Sequence, residues 1–413
     1  MIDQEYLRKT LLELAAIPSP SGFTDEIVRY VCGEIGALGY EYELTRRGMV
    51  RALMPGRQRA PARAVVTHLD TTGAMVRAIE PHGRLAVAPI GHWSARFAEG
   101  VAATVFTRNG ALRSCMLPKV EWGVSRDDGV AAGSRSWDDI ELRLEEPVFS
   151  AADVASLGVE VGDYVALDPQ INLLDNGYVV GRNLDNKAGA AAVLAFLRAF
   201  ADSEQQADSD TYFLFTISEV TGGGIGSAVL PEISELVTVD FESVPAVEKS
   251  PYKRVTLASG DASGPYDFHL TAHLRDLAAA AEPVIPLQQK YLMAYHSDAA
   301  AALIAGHDVR TAVIAYAGDA AHSLERTHLD SLTNVARLLE AYVTSAPTFS
   351  DDEPVKSVEN FSHQIDVEQL PRTSRQLPDT AEIIRRTLRE SEVHAAEEGA
   401  AKEGAAEERE SED

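Results

Sequence analysis

Apolar residues recur along this chain in two rhythms, one near 3.6 residues and one near 2, and the dominant rhythm changes twice. Behind Asp3, a residue suited to capping a helix, Tyr6, Leu7, Leu11, Leu14 and Ala15 fall at helical spacing. Pro18-Ser19-Pro20-Ser21-Gly22 stops that pattern. Ile27, Val28, Val31 and Ile35 then predict a second helix capped by Thr24, and residues around 42–53 and 63–67 read as strands ending at His68-Leu69-Asp70. From about 72 to 175 the pattern becomes short alternating segments: Thr104-Val105-Phe106, Glu141-Leu142-Arg143-Leu144 and Tyr164-Val165-Ala166-Leu167. Glycines and turn residues separate them, as in a small all-β domain. Mixed helix and strand periods return at Tyr178. They include a helix over about Lys187–Ala201 so apolar that it must be covered on most of its surface, and another over Leu332–Ser345.

The fold class that follows is α/β. One domain, residues 1–71 plus 176–346, is interrupted by a β-rich insertion over 72–175. Residues 347–413 form a C-terminal extension with a helical stretch around 380–388. From about 390 that extension is Glu/Ala-rich, with too few large apolar residues to fold alone.

Composition narrows the function classes. The net charge of −26 argues against nucleic acid and anionic membrane surfaces as partners. No apolar run approaches the ~18 residues of a membrane span, and the amphipathic start lacks the core of a signal peptide, so a cytoplasmic location is expected. Cys32 and Cys115 make neither a disulfide framework nor a zinc ribbon.

Candidate chemistry lies where apolar runs end. His68 follows Ala64-Val65-Val66-Thr67, Glu219 follows the run Tyr212–Ile217, and Asp240 follows Leu236-Val237-Thr238-Val239. His322 comes shortly after Thr311–Tyr316, and Asp185 lies between a predicted strand and a helix. In open α/β sheets, ligands bind outside the carboxyl ends of the strands, so these five residues can converge there. Imidazoles and carboxylates together suit zinc, cobalt or manganese. Taken singly, Asp185 also reads as a helix cap, His68-x-Asp70 as a surface pair, and Ser297-Asp298 as the cap of a later helix. In the metal reading Asp70, two residues beyond His68, orients the imidazole through a hydrogen bond. Two divalent ions ~3.5–4 Å apart would polarise a scissile carbonyl and activate water, chemistry suited to amide hydrolysis.

The sequence resembles the glutamyl- and deblocking-aminopeptidase family of co-catalytic metallopeptidases, some of whose members carry an endoglucanase name. Over roughly residues 5–345 the resemblance is carried by Ile17–Gly22, Thr67–Asp70, Pro89–Trp93, Gly158–Asp163, Gly181–Gly189, Ser218-Glu219-Val220, Val239-Asp240 and His322–Glu325. It implies a three-layer α/β/α zinc-exopeptidase-like domain with an inserted barrel- or PDZ-like β domain used in assembly. It also implies dimers that build a dodecamer, and trimming of short peptides from the N-terminus. By the same resemblance two ions, zinc or cobalt, are held per subunit: His68, Asp185 and Asp240 on one, Asp185, Glu219 and His322 on the other. The family usually has two adjacent glutamates, a base and then a ligand, where this chain has Ser218-Glu219. Three readings follow: Glu219 is the base and a ligand is lost, another carboxylate such as Glu242 serves, or the enzyme is weak or altered. Asp70, Ser218 and Glu219 are therefore the candidate catalytic positions. A catalytically impaired peptide-binding member and an amidohydrolase for a small modified dipeptide are the rival functions. A metal-free glycosidase, which uses two carboxylates, fits less well.

Overall fold

The computed structural model of the chain describes residues 1–119, 136–244 and 251–348. The chain divides into two units, Met1–Val358 and Glu359–Asp413. The helical stretch near 380–388 and the acidic tail expected from the sequence lie outside the described residues.

Helices α1 (Gln4–Ala16) and α2 (Asp25–Ala37) open the chain. Asp3 accepts hydrogen bonds from the amides of Glu5 and Tyr6, so its cap forms as the sequence suggests. Thr24 does stand before α2, but its side chain makes no capping bond. The strands that follow are β1 (Glu41–Leu44), β2 (Val50–Met54) and β3 (Gly56–His68).

Residues 73–167 hold β4 (Gly73–Ile79), β5 (Leu85–Ile90), β6 (Ala102–Thr107), β7 (Gly110–Pro118), β8 (Ile140–Leu144), α3 (Ala151–Ser156) and β9 (Tyr164–Leu167). These six strands close into a barrel in the order β4-β5-β8-β7-β6-β9. Alternate positions point inward, and Val76, Val87, Val105, Met116, Leu142 and Val165 fill the interior.

The chain then returns through β10 (Asn172–Leu173), β11 (Tyr178–Gly181), α4 (Leu184–Ala201), β12 (Ala207–Thr216) and β13 (Ile233–Ser243). It ends with β14 (Val255–Asp261), β15 (Gly264–Pro265), α5 (Phe268–Ala280), β16 (Leu287–Leu292), α6 (Asp298–Ile304), β17 (Arg310–Asp319), β18 (Glu325–His328) and α7 (Leu329–Thr344). The large sheet runs β1-β2-β12-β3-β13-β17-β18-β11-β10, with β14 branching from β17. Its centre, β12, β3, β13 and β17, is parallel. Central parallel strands are covered on both faces, which explains their unbroken apolar runs. Helix α4 is buried almost throughout because it packs on β3 and β13 while α1 and α7 cover it. The fold is thus mixed α/β with a small closed barrel.

Two features fix the ends of the parallel strands relative to one another. Thr216 on β12 pairs with His68 on β3, and Thr238 on β13 pairs with Val66. Continuing that parallel register by two residues sets Asp240 beside His68. The barrel abuts the same end: the Phe23 ring packs against Phe106 at 4.6 Å and Tyr164 at 5.5 Å between ring centres.

Candidate metal centre

His68 is the last residue of β3 and 2% exposed. Its Nδ1 lies 2.9 Å from the main-chain oxygen of Asp70, so Nδ1–H donates there and Nε2 faces the strand ends. Nε2 lies 3.2 Å from Asp185 Oδ1, 3.5 Å from Glu219 Oε2 and 4.0 Å from Asp240 Oδ1. His322 is oriented in the same manner. Its Nδ1 is 2.7 Å from the carbonyl oxygen of His92, and its Nε2 is 3.5 Å from Asp185 Oδ2. Asp185 therefore lies between the two imidazoles, one oxygen toward each. Among the described residues, His68, Asp185 and Asp240 form a set whose donor atoms all lie within 4.8 Å of one another.

The Gly181–Gly189 segment shows how sequence places Asp185. Helical geometry is interrupted at Asp185 and Asn186, so the expected start near Lys187 matches the regular part of α4. Asn186 Nδ2 donates to Thr67 Oγ1 and to the Val239 carbonyl, tying the segment to β3 and β13. A Cβ on Gly189 would sit 2.1 Å from Asn186 Oδ1, so only glycine fits at that position. Lys187 is buried and donates to the Ile17 carbonyl, and burial pushes its pKa down to about 7. Asp185 is not acting as a plain helix cap, since its carboxylate faces imidazoles.

Asp70 does something other than the expected imidazole contact. Its carboxylate is 3.6 Å from His68 Nδ1, while its main-chain oxygen takes that contact. The carboxylate accepts from Ser21 Oγ at 2.5 Å and from the amides of Glu219 and Val220, both at 3.2 Å. Asp70 thus holds the loop after β12 in place. Ser218 packs beside the glycine turn. Its hydroxyl is buried without a hydrogen-bond partner, and a Cβ on Gly223 would stand 2.8 Å from its Oγ. Glu242 is 1% exposed, and its carboxylate is engaged by Lys290 Nζ at 2.6 Å and by Thr256 Oγ1. It is structural and not free to serve as a base.

Two carboxylates here went unassigned in the sequence. Glu325 accepts from the amide of Asp185 at 3.1 Å and from the amide of His322 at 2.9 Å, joining the two loops. His322 itself has φ +60°, and Asn183 and Ala320 nearby are also left-handed, a conformation that surrounding contacts must hold. Asp298 is expected from the sequence in a helix cap, with a substrate-side loop as the alternative the family resemblance implies. Ser297 does cap α6 by accepting from the Ala300 amide. Asp298, fully buried, accepts from Thr216 Oγ1 at 2.6 Å and leaves its other oxygen without a partner. The sequence signal for Glu325 is its position three residues after His322 in the His322–Glu325 motif, and for Asp298 the substrate-side loop that the resemblance implies at Ser297-Asp298.

The electrostatics follow from six buried or nearly buried carboxylates in one place: Asp70, Asp185, Glu219, Asp240, Asp298 and Glu325. Burial raises Asp240 to about 7, with the Asp185 charge adding to it. Burial likewise raises Glu219 well above the carboxylate range, with Asp240, Asp298 and Asp185 contributing. Asp298 rises to about 6 and Glu325 to about 8, each chiefly by burial. Asp185 goes the other way, because its bonds to His322 and His68 outweigh its burial. Burial alone would lower His68, but the charges of Glu219, Asp185 and Asp70 hold it well above its ordinary value. His322 is raised to about 9, first by its bond to Asp185. Carboxylates that repel one another around the Nε2 atoms of two imidazoles would be relieved by a divalent cation. The donor set of His68, Asp185 and Asp240 fits zinc or cobalt in chemistry and number.

The sequence profile of the M42 glutamyl aminopeptidase family matches residues 48–338. The chain belongs to that family. YhfE of Bacillus subtilis (strain 168), which carries an aminopeptidase name, is 33% identical over 344 residues, 82% of this chain and 98% of its own length. Among solved structures, the TET aminopeptidase of the marine sediment archaeon Thaumarchaeota archaeon SCGC AB-539-E09 superposes with a TM-score of 0.74 at 20% identity, covering 83% of this chain and 96% of its own. TET1 peptidase of Pyrococcus horikoshii, described as assembling into a tetrahedron or a large octahedral shell, gives 0.72 at 20% identity over 82% of this chain and 100% of its own. Membership of this M42 family makes the chain a metal-dependent hydrolase of peptides.

Proposed function

We propose that this M42 family member is an aminopeptidase that removes residues from the N-terminus of short peptides, with its chemistry at the strand ends around His68. The observation that carries the reading is the approach of Glu219 to within 3.5 Å of His68 Nε2, beside the His68, Asp185 and Asp240 donor set. His68, Asp185 and Asp240 would hold a divalent ion. Such an ion, when bound, polarises the scissile carbonyl and acidifies the attacking water.

The chain's own residues do the rest. Glu219 takes the proton of the attacking water as its oxygen bonds to the carbonyl carbon. It returns that proton to the departing amine as the C–N bond breaks. Asp70 holds Glu219 in place through the loop amides, and Ser21 fixes Asp70 in turn. Ser218 takes no part, since its hydroxyl faces the glycine turn. The aminopeptidase name of YhfE supports the substrate class. The assemblies described for TET1 support a homo-oligomer, in which the barrel contributes to the contacts between subunits.

Purified protein loaded with zinc or cobalt is expected to hydrolyse aminoacyl chromogenic amides and free dipeptides, and to leave N-blocked peptides intact. Glu219→Gln should lower kcat/KM by about 10²–10⁴-fold. Preference for blocked dipeptides would favour the amidohydrolase reading, and a Glu219→Gln variant with unchanged turnover would refute the assigned base.

A further inference from the structure

The family pattern implies two ions, but the position between Asp185 and His322 is not built like the one at His68. Among the described residues two donors meet there, Asp185 Oδ2 and His322 Nε2, 3.5 Å apart, and Asp185 is shared with the first position. A zinc ion normally takes three protein ligands or more. Among the described residues, no third donor joins Asp185 and His322 to make a set like that of His68, Asp185 and Asp240.

The loop after β12 supplies the reason. Asp70 pins the amides of both Glu219 and Val220, and the two side chains diverge. Glu219 goes to His68. Val220 lines the small pocket that Asp185 and His322 share, and packs where a Cβ on Gly91 would be. A second carboxylate of a Glu-Glu pair would thus belong at position 220, one residue later than the sequence comparison of Ser218-Glu219 suggests, and this chain has valine there.

Two further features oppose a cation in that pocket. Glu325, the remaining carboxylate on its wall, already accepts one main-chain amide on each oxygen, which orients it toward the two loops it joins. Arg182 lines the same wall. It is 8% exposed, and its Nε and Nη1 are buried without a hydrogen-bond partner. A fixed guanidinium beside the pocket repels a divalent ion.

We propose that this chain binds one divalent ion per subunit, at His68, Asp185 and Asp240, and that the Asp185–His322 position, closed by Val220 and Arg182, is not a second metal site. The inference rests on reading the His68 cluster as a metal site, but its test does not depend on turnover. Wild-type protein is stripped with chelator, titrated with zinc or cobalt in a calorimeter, dialysed, and its metal measured by mass spectrometry. One tightly held ion per chain is expected. His322→Ala should keep one ion with affinity changed less than about 10-fold, whereas Asp240→Ala should lose it, given the 10–100-fold effects typical of even indirect metal-site contacts.

Val220→Glu combined with Arg182→Leu, checked for folding by circular dichroism, should raise the content to two ions, and a content that stays at one would show that Val220 and Arg182 are not what closes the position. Two ions in the wild type, or one ion fewer in His322→Ala than in the wild type, would overturn the proposal even if peptides are hydrolysed. A wild type that holds no ion would overturn both this proposal and the metal reading beneath it. One ion without aminopeptidase turnover would leave this inference standing and remove the proposed function.

Discussion

At the scale of single residues, the site depends on side chains that hold others in place as much as on the groups that face the substrate. Asp70, Glu325 and Asn186 act by bonding main-chain amides and carbonyls of distant segments; Glu325 reaches an amide 140 residues away. Such roles leave no local pattern, which is why Glu325 and Asp298 were not assigned from the sequence while His68, Asp185 and Asp240 were. Asp298 gives a pH test. Its folded pKa of about 6 lies above the ordinary 3.8, so folding favours the protonated form. The stability it contributes is full below about pH 4 and is lost as pH rises through 6. In chelated protein, Asp298→Asn should therefore gain stability relative to wild type between pH 4 and 8, by up to about 3 kcal/mol. Chemical denaturation across that range measures it. A constant difference would mean that Asp298 is not buried as an ionisable group.

At the scale of elements, the helical spacing of α1, α2 and α4 and the apolar runs of β3, β12 and β13 were legible because each buries one stripe or both faces against neighbours. The order of strands in the sheet was not, since pairings such as β12 with β3 join segments far apart in sequence. The start of regular helix near Lys187 was legible, but the ties of Asn186 to two strands, which hold Asp185 in place, were not. One polar tie within the core has a clear consequence. Arg63 on β3 and Glu235 on β13 are both fully buried, with Nε to Oε2 at 3.1 Å. Arg63 Nη1 also donates to the carbonyls of Tyr342 and Ser345 at the end of α7. Arg63→Leu leaves the Glu235 charge buried without its partner. It should reduce unfolding free energy by about 3–5 kcal/mol, read from urea denaturation, with the metal content of the folded fraction unchanged. A loss below 1 kcal/mol would show that this pair does not secure α7 to the sheet.

At the scale of the whole molecule, the barrel stands against the strand ends. His92, at the end of the barrel's Pro89–Trp93 motif, orients His322. Assembly and catalysis are thus expected to be linked through the barrel. Light scattering of the full chain should give a mass at least twice the 44.6 kDa of one chain. A monomer at micromolar concentration would remove the assembly proposal. The central claim is that a divalent ion held by His68, Asp185 and Asp240 serves an aminopeptidase whose base is Glu219. The most direct test is turnover of an aminoacyl chromogenic amide by three proteins, wild type, Asp240→Ala and Glu219→Gln, after chelation and after zinc or cobalt is restored, with bound metal measured in each. The account expects wild type to lose activity on chelation and regain it with metal. It expects Asp240→Ala to lose both metal and activity, and Glu219→Gln to keep its metal and lose activity by at least about 100-fold. Wild-type turnover undiminished by complete metal removal would contradict it.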